Sequence, residues 1–159
     1  MGLLLSVVGV VASALFLSFP FVDVKADRSA CDEVDSLRVD SDAEIINLTD
    51  RCYYVEVNAK VKKMYLYAGA VDVREAGEVG LLKVEVGDVR NGGRVDTLRV
   101  GVGDVFNEGY VGFLKTGIGD VKNRGILGRV DVGIGEVYNY GKIEGEVSIG
   151  VGDVEGGQD

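Results

Sequence analysis

Residues 97–112, TLRVGVGDVFNEGYVG, and residues 113–128, FLKTGIGDVKNRGILG, are two copies of one pattern with a period of 16 residues. Apolar residues hold the second, fourth and sixth places, with Thr116 the one polar exception, a Gly-Asp pair follows, and a Val-x-Asn-x-Gly segment leads into the next unit. A fixed period of this length marks a stacked architecture, in which each unit buries its apolar face only against its neighbours.

The pattern extends in both directions. Residues 81–96, LLKVEVGDVRNGGRVD, keep it fully, and 129–145, RVDVGIGEVYNYGKIEG, carry one extra residue near Gly145. The segment 146–159, EVSIGVGDVEGGQD, stops just short of a full unit. Upstream, YLYAGAVDVREAGEVG at 65–80 keeps the apolar columns, and 49–64 keep only a trace.

Stacking the units gives a second column from Leu66 through Leu82 to Val147, a fourth from Ala68 through Val84 to Ile149, and a sixth from Ala70 through Val86, Val102, Ile118 and Ile134 to Val151. Alternation of this kind predicts a half-buried strand with all three columns facing inward. After the turn, the Val73 to Val154 column and the Val79 to Ile143 column resume the inward pattern. β-Branched residues dominate these positions, as a pleated surface favours. The expectation is an all-β, single-stranded β-solenoid (a β-helix) of about six 16-residue coils over residues 61–159. Residues 27–60 form its N-terminal cap. Cys52 extrapolates back into the fourth column, so a bridge from it would tie the cap to the first coil.

Composition narrows the chemistry. The 159 residues hold 24 Gly and one Pro, and Asp plus Glu outnumber Lys plus Arg by 26 to 17, a formal charge of −9. That balance repels nucleic acid and anionic headgroups. With no His and two Cys, a His/Cys zinc site, a Ser-His-Asp triad and a Cys-His dyad are excluded.

The first residues read as an export signal. From Gly2 to Val22 no charge interrupts the apolar run, and Val24-Lys25-Ala26 offers a cleavage site after Ala26, with Asp27 as the mature start. No Lys or Arg precedes the run, whose length approaches that of a membrane span, so residues 2–22 as an uncleaved anchor helix is the alternative. Either outcome places the remainder outside the membrane as an exported, cell-surface or secreted domain. Ser29-Ala30-Cys31 has some of the character of a lipoprotein site, but Arg28 stands where an apolar residue belongs. Export favours a Cys31–Cys52 disulfide, worth roughly 3 kcal/mol in the chain-entropy view; two buried thiols are the alternative. Asn47-Leu48-Thr49 is a glycosylation sequon.

Three recurrent features are candidate sites. The corner acids Asp72, Asp88, Asp104, Asp120, Glu136 and Asp153 read first as turn residues bonding to nearby backbone. Stacked about 4.8 Å apart, they form a like-charged column that is costly unless splayed into water or bridged by cations, which makes calcium the one cofactor to consider. Asn91, Asn107, Asn123 and Asn139 form a second column whose amides, turned inward, would bond from coil to coil as a structural ladder. Phe106, Tyr110, Phe113, Tyr138 and Tyr140 are outward aromatics, read as an interface or as single surface residues. Every recurring acid follows the period, whereas a catalytic site would break it, so no enzyme activity is expected. The C-terminal coil ends at Gly156-Gly157-Gln158-Asp159, an edge that could template end-to-end association and that the acidic Asp153, Glu155 and Asp159 would blunt.

In its recurrent G-x-G-D-V turns, residues 65–159 resemble the prokaryotic adhesin-type β-solenoid domains and the related toast-rack domains of envelope-stress proteins. The resemblance implies a single-stranded solenoid without a shared catalytic site. It further implies a structural or adhesive surface protein that binds an unidentified surface macromolecule or another copy of itself. A membrane-anchored module that senses envelope state is the alternative, and a calcium-dependent solenoid a further one.

Overall fold

The computed structural model describes residues 21–24 and 33–157. The segments 1–20 and 25–32, with most of the apolar run, Ala26 and Cys31, lie outside the described residues. So do Gln158 and Asp159. The described part is all β, and the strand pairings among the described residues are parallel.

The strands wind as about eight coils. Phe21–Val24 (β1) and Val34–Val39 (β2) form coil 1; Ala43–Val57 (β3), Lys60–Val73 (β4) and Glu78–Asn91 (β5) are coils 2 to 4. Coils 5 to 7 each break once at a corner, as Arg94–Val102 (β6) with Val105–Asn107 (β7), Tyr110–Ile118 (β8) with Val121–Asn123 (β9), and Ile126–Ile134 (β10) with Val137–Asn139 (β11). Coil 8 consists of Lys142–Ile143 (β12), Val147–Val151 (β13) and Val154–Gly156 (β14).

Two coils more than the sequence predicted come from residues 21–57, read there mainly as a cap. The repeat was hidden because these coils are longer. Val61 faces Val79 and Met64 faces Leu82, a spacing of 18 rather than 16. β3 carries a bulge between Leu48 and Cys52, so the spacing to β4 is 18 before it and 16 after it. The upstream columns therefore shift by two residues. Met64, not Leu66, stands in the column of Leu82, and Val71, not Val73, in that of Val89.

Five columns fill the core. Met64, Leu82, Leu98, Leu114 and Val130 are fully buried, as are Val71, Val89, Val105, Val121 and Val137. The fifth column begins with Val39, Val57 and Val73 and continues with Asn91, Asn107, Asn123 and Asn139, all buried. Stacking of β-branched and Leu side chains on themselves gives each coil a floor and a roof that an isolated coil would lack.

The sixth column does not face inward. Val86, Val102, Ile118, Ile134 and Val151 are 46 to 65% exposed. Each precedes a glycine of positive φ, such as Gly103 at +147° and Gly119 at +144°. A Cβ at Gly103 would stand 2.1 Å from the Gly87 carbonyl oxygen. The chain can turn this corner only as glycine, and the corner carries the preceding side chain out of the pleat alternation. Cys52 belongs to this column rather than the fourth, since it faces Ala68 and Ala68 faces Val86. Cys52 and Ala68 are buried, and the exposed part begins at Val86.

Candidate functional site

The corner acids build an ordered ladder. Asp88 Oδ1 accepts the backbone N–H of Asp104 at 2.8 Å, Asp104 Oδ1 that of Asp120 at 2.8 Å, and Asp120 Oδ1 that of Glu136 at 3.0 Å. Each carboxylate thus reaches one coil along instead of capping its own turn. Charge-assisted bonds of this kind offset the repulsion between stacked carboxylates. Glu136 accepts a hydrogen bond from the Tyr138 hydroxyl, and this bond with the negative carboxylate pushes the phenol pKa up to about 12.

Asp72 is not a member of this ladder. The residue facing Asp88 is Ala70; Asp72 faces Arg90, in the column that continues through Phe106, Lys122 and Tyr138. Asp72 is largely buried, pairs with Arg74 at 3.2 Å and accepts from the Tyr54 hydroxyl at 3.4 Å. The two-residue slip in coils 2 and 3 moved it out of the series.

Between the acidic ladder and the Asp72 column runs an open groove of about 410 Å³. Asp88, Asp104 and Asp120 line one side, Arg90, Phe106 and Lys122 the other, and Val71, Val89 and Val105 its floor. Among the described residues no group of three His, Cys, Asp or Glu is placed to hold a metal ion.

The Asn column is the internal ladder that its spacing predicts. Asn91 Nδ2 donates to Asn107 Oδ1 at 2.8 Å, Asn107 to Asn123 at 2.8 Å, and Asn123 to Asn139 at 2.7 Å. The same amides hold the following turn: Asn107 Nδ2 also reaches the Gly109 carbonyl, and Asn123 Oδ1 accepts from the Gly125 N–H. Buried amides joined in this way are structural.

The structure does not gather the five aromatics into one surface. Phe106 and Tyr138 share a column two coils apart, Tyr110 lies in the Arg94–Ile126 column, and Phe113 in the Thr97–Arg129 column. Cations cover four of them: Arg90 and Arg124 lie 5.4 and 5.6 Å from the Phe106 ring centre, Arg94 4.5 Å from Tyr110, Arg129 5.8 Å from Phe113 and Lys122 5.9 Å from Tyr138. Tyr140, 72% exposed, stands at a turn.

What the sequence reading missed is the exposed apolar column. The signal was present in the flanking glycines, Gly101-Val102-Gly103 and Gly117-Ile118-Gly119, which mark a corner rather than a continuing strand.

The fold defines the class: a parallel β-solenoid whose recurrent polar residues form ladders along its axis. No family model, curated protein or solved structure matches the chain.

Proposed function

We propose that the chain is an exported, non-enzymatic structural or adhesin-like β-solenoid that works through its outer surface, on another macromolecule or on its own copies. One observation carries this reading. The recurring polar groups suited to chemistry, the Asn amides and the corner carboxylates, are engaged in coil-to-coil bonds, while the exposed columns stack in register and offer a long, regular surface. The apolar run at residues 2–22 and the junction at Ala26 favour export, with Cys31 and buried Cys52 joined as a disulfide; among the described residues there is no free cysteine.

The second reading, a membrane-anchored sensor of envelope state, is favoured by β1. Phe21–Val24 pairs with Ile45–Leu48, and cleavage after Ala26 would remove that strand from coil 1. A calcium-dependent solenoid is the third reading, supported by the stacked carboxylates of Asp88, Asp104 and Asp120.

Producing the full chain in cells, shaving intact cells with protease and sequencing the mature N-terminus tests these readings together. Accessibility outside the membrane with a start at Asp27 supports the secreted form. A retained Met1 supports the anchored sensor, and a chain protected in the cytoplasm overturns export.

A further inference from the structure

Val86, Val102, Ile118, Ile134 and Val151 face one another in successive coils and form a ridge about 19 Å long at the usual inter-strand spacing. Their exposures of 50, 46, 50, 50 and 65% are those of side chains standing free of the surface. Glycine occupies both neighbouring places in coils 5 to 8, as at Gly101 and Gly103 or Gly133 and Gly135, so no side chain shields the ridge from either side. Backbone geometry accounts for the glycines. It does not account for the ridge residues, because Thr would serve the strand equally well and dissolve better, yet all five coils carry Val or Ile. Aligned exposed apolar side chains of this kind mark an interaction surface.

Charge decides what the surface fits. On one flank, three residues before the ridge in the same strands, stand Lys83, Arg99 and Lys115, which face one another in successive coils; within the chain Lys83 pairs with Glu85 and Lys115 with Asp131 on the exposed surface, where such pairs exchange at little cost. On the other stand Asp88, Asp104 and Asp120. The two flanks have opposite sign over the same three coils, so the surface is complementary to itself in one orientation. A two-fold axis parallel to the solenoid axis sets the basic flank of one copy against the acidic flank of the other, coil for coil. A perpendicular two-fold, which would run the copies antiparallel, sets like charge against like and is disfavoured.

We propose that two copies of this chain pair side by side and parallel, ridge against ridge, with Lys83, Arg99 and Lys115 of each reaching the Asp88, Asp104 and Asp120 ladder of the other. The pairing rests on the reading of the protein as one that acts through its surface, and it names the partner as a second copy. Each ridge residue then meets its own counterpart, and the identical coil spacing of the two solenoids keeps the ridges in register along their whole length, while the charge match spans coils 4 to 6 and ends where Asp131 follows Lys115. The apolar contact supplies the affinity, and the charged flanks set orientation.

Disulfide trapping in cells producing the full chain tests the geometry. Val86→Cys and Val151→Cys mark the two ends of the ridge, and Arg90→Cys, off the ridge in the same coil as Val86, is the control. Parallel pairing yields homodimers from Val86→Cys alone and from Val151→Cys alone, above the level of the unaltered chain and of the control. Dimers that form only when both variants are produced together mean antiparallel pairing and overturn the proposal. Absence of trapping at both positions overturns it as well.

Adding Ile118→Lys should lower the trapped Val86→Cys dimer roughly tenfold, the effect of about 1.4 kcal/mol, while an unchanged far-ultraviolet spectrum shows that the exposed position leaves the fold intact. An undiminished dimer would place the contact elsewhere. Failure here is separable from failure of the surface reading. An exported chain that still grows with concentration in light scattering keeps that reading and loses the ridge pairing, whereas a chain retained inside the cell loses the reading whatever the ridge does.

Discussion

Asn107 Nδ2 donates to Asn123 Oδ1 across 2.8 Å, joining two coils through side chains that are fully buried. The bond lies between two others of its kind, so each internal amide is at once donor to the next coil and acceptor from the last. Truncation at the middle of this series strands groups on both sides.

Asn107→Ala should therefore destabilise the protein by about 3 kcal/mol, because it leaves Asn91 Nδ2 and Asn123 Oδ1 each short of a partner in a dry core. Asn139→Ala, at the C-terminal end of the ladder, strands fewer groups and should cost clearly less. Urea titrations of the two variants compare the values, and equal losses would contradict the ladder account.

The corner carboxylates act as acceptors, a role that an amide oxygen fills as well. Asp88→Asn, Asp104→Asn and Asp120→Asn combined should melt no lower than the parent at low salt, since they keep the coil-to-coil acceptor and remove like charges one coil apart. A calcium-dependent solenoid behaves oppositely. It would lose thermal stability on this substitution and on addition of chelator.

Thr116 occupies a core column otherwise held at its neighbours by Val100 and Val132. Among the described residues its Oγ1 is the buried side-chain polar atom without a hydrogen-bond partner. Replacing it removes a desolvated hydroxyl, so Thr116→Val should raise stability by about 1 kcal/mol, seen as a higher melting temperature. A decrease would mean the hydroxyl is satisfied in solution.

Gly119→Ala introduces a Cβ 2.0 Å from the Gly103 carbonyl oxygen at φ +144°. The loss should be roughly 3 kcal/mol or more, against a change within about 0.5 kcal/mol for Lys122→Ala on the surface of the same coil. Parallel thermal melts decide it.

Tyr53 donates its hydroxyl to Asp50 at 2.9 Å. Burial, reinforced by this bond and by the negative charge, pushes its pKa up to about 12. The folded protein therefore holds the phenolic proton more tightly than the unfolded chain does. The stability this contributes is fully present below pH 10 and declines as the pH rises from 10 through about 12. Tyr53→Phe should flatten the alkaline decline in a series of unfolding curves, and an unchanged slope would remove Tyr53 as its source.

The amino-acid sequence by itself determined the repeat, the β class and the inward Asn column. These follow from chemistry that recurs in place: β-branched residues at alternate positions, Asn two residues before Gly, and a glycine at every corner from Gly87 onward. Period and composition suffice because each coil contacts only its neighbours and solves the same packing problem. Tertiary structure alone decided the number of coils, the place of Asp72 and the direction of the Val102 column. In coils 2 and 3 the 18-residue spacing and the bulge after Leu48 change the register without changing residue type, so Val71 and Val73 are equally good candidates for one column until hydrogen bonding chooses. At the corner, Val100 and Val102 are chemically alike and two residues apart, yet one is buried and the other half-exposed. The difference lies in the backbone turn at Gly103, a three-dimensional constraint imposed by the carbonyl of the coil beneath it.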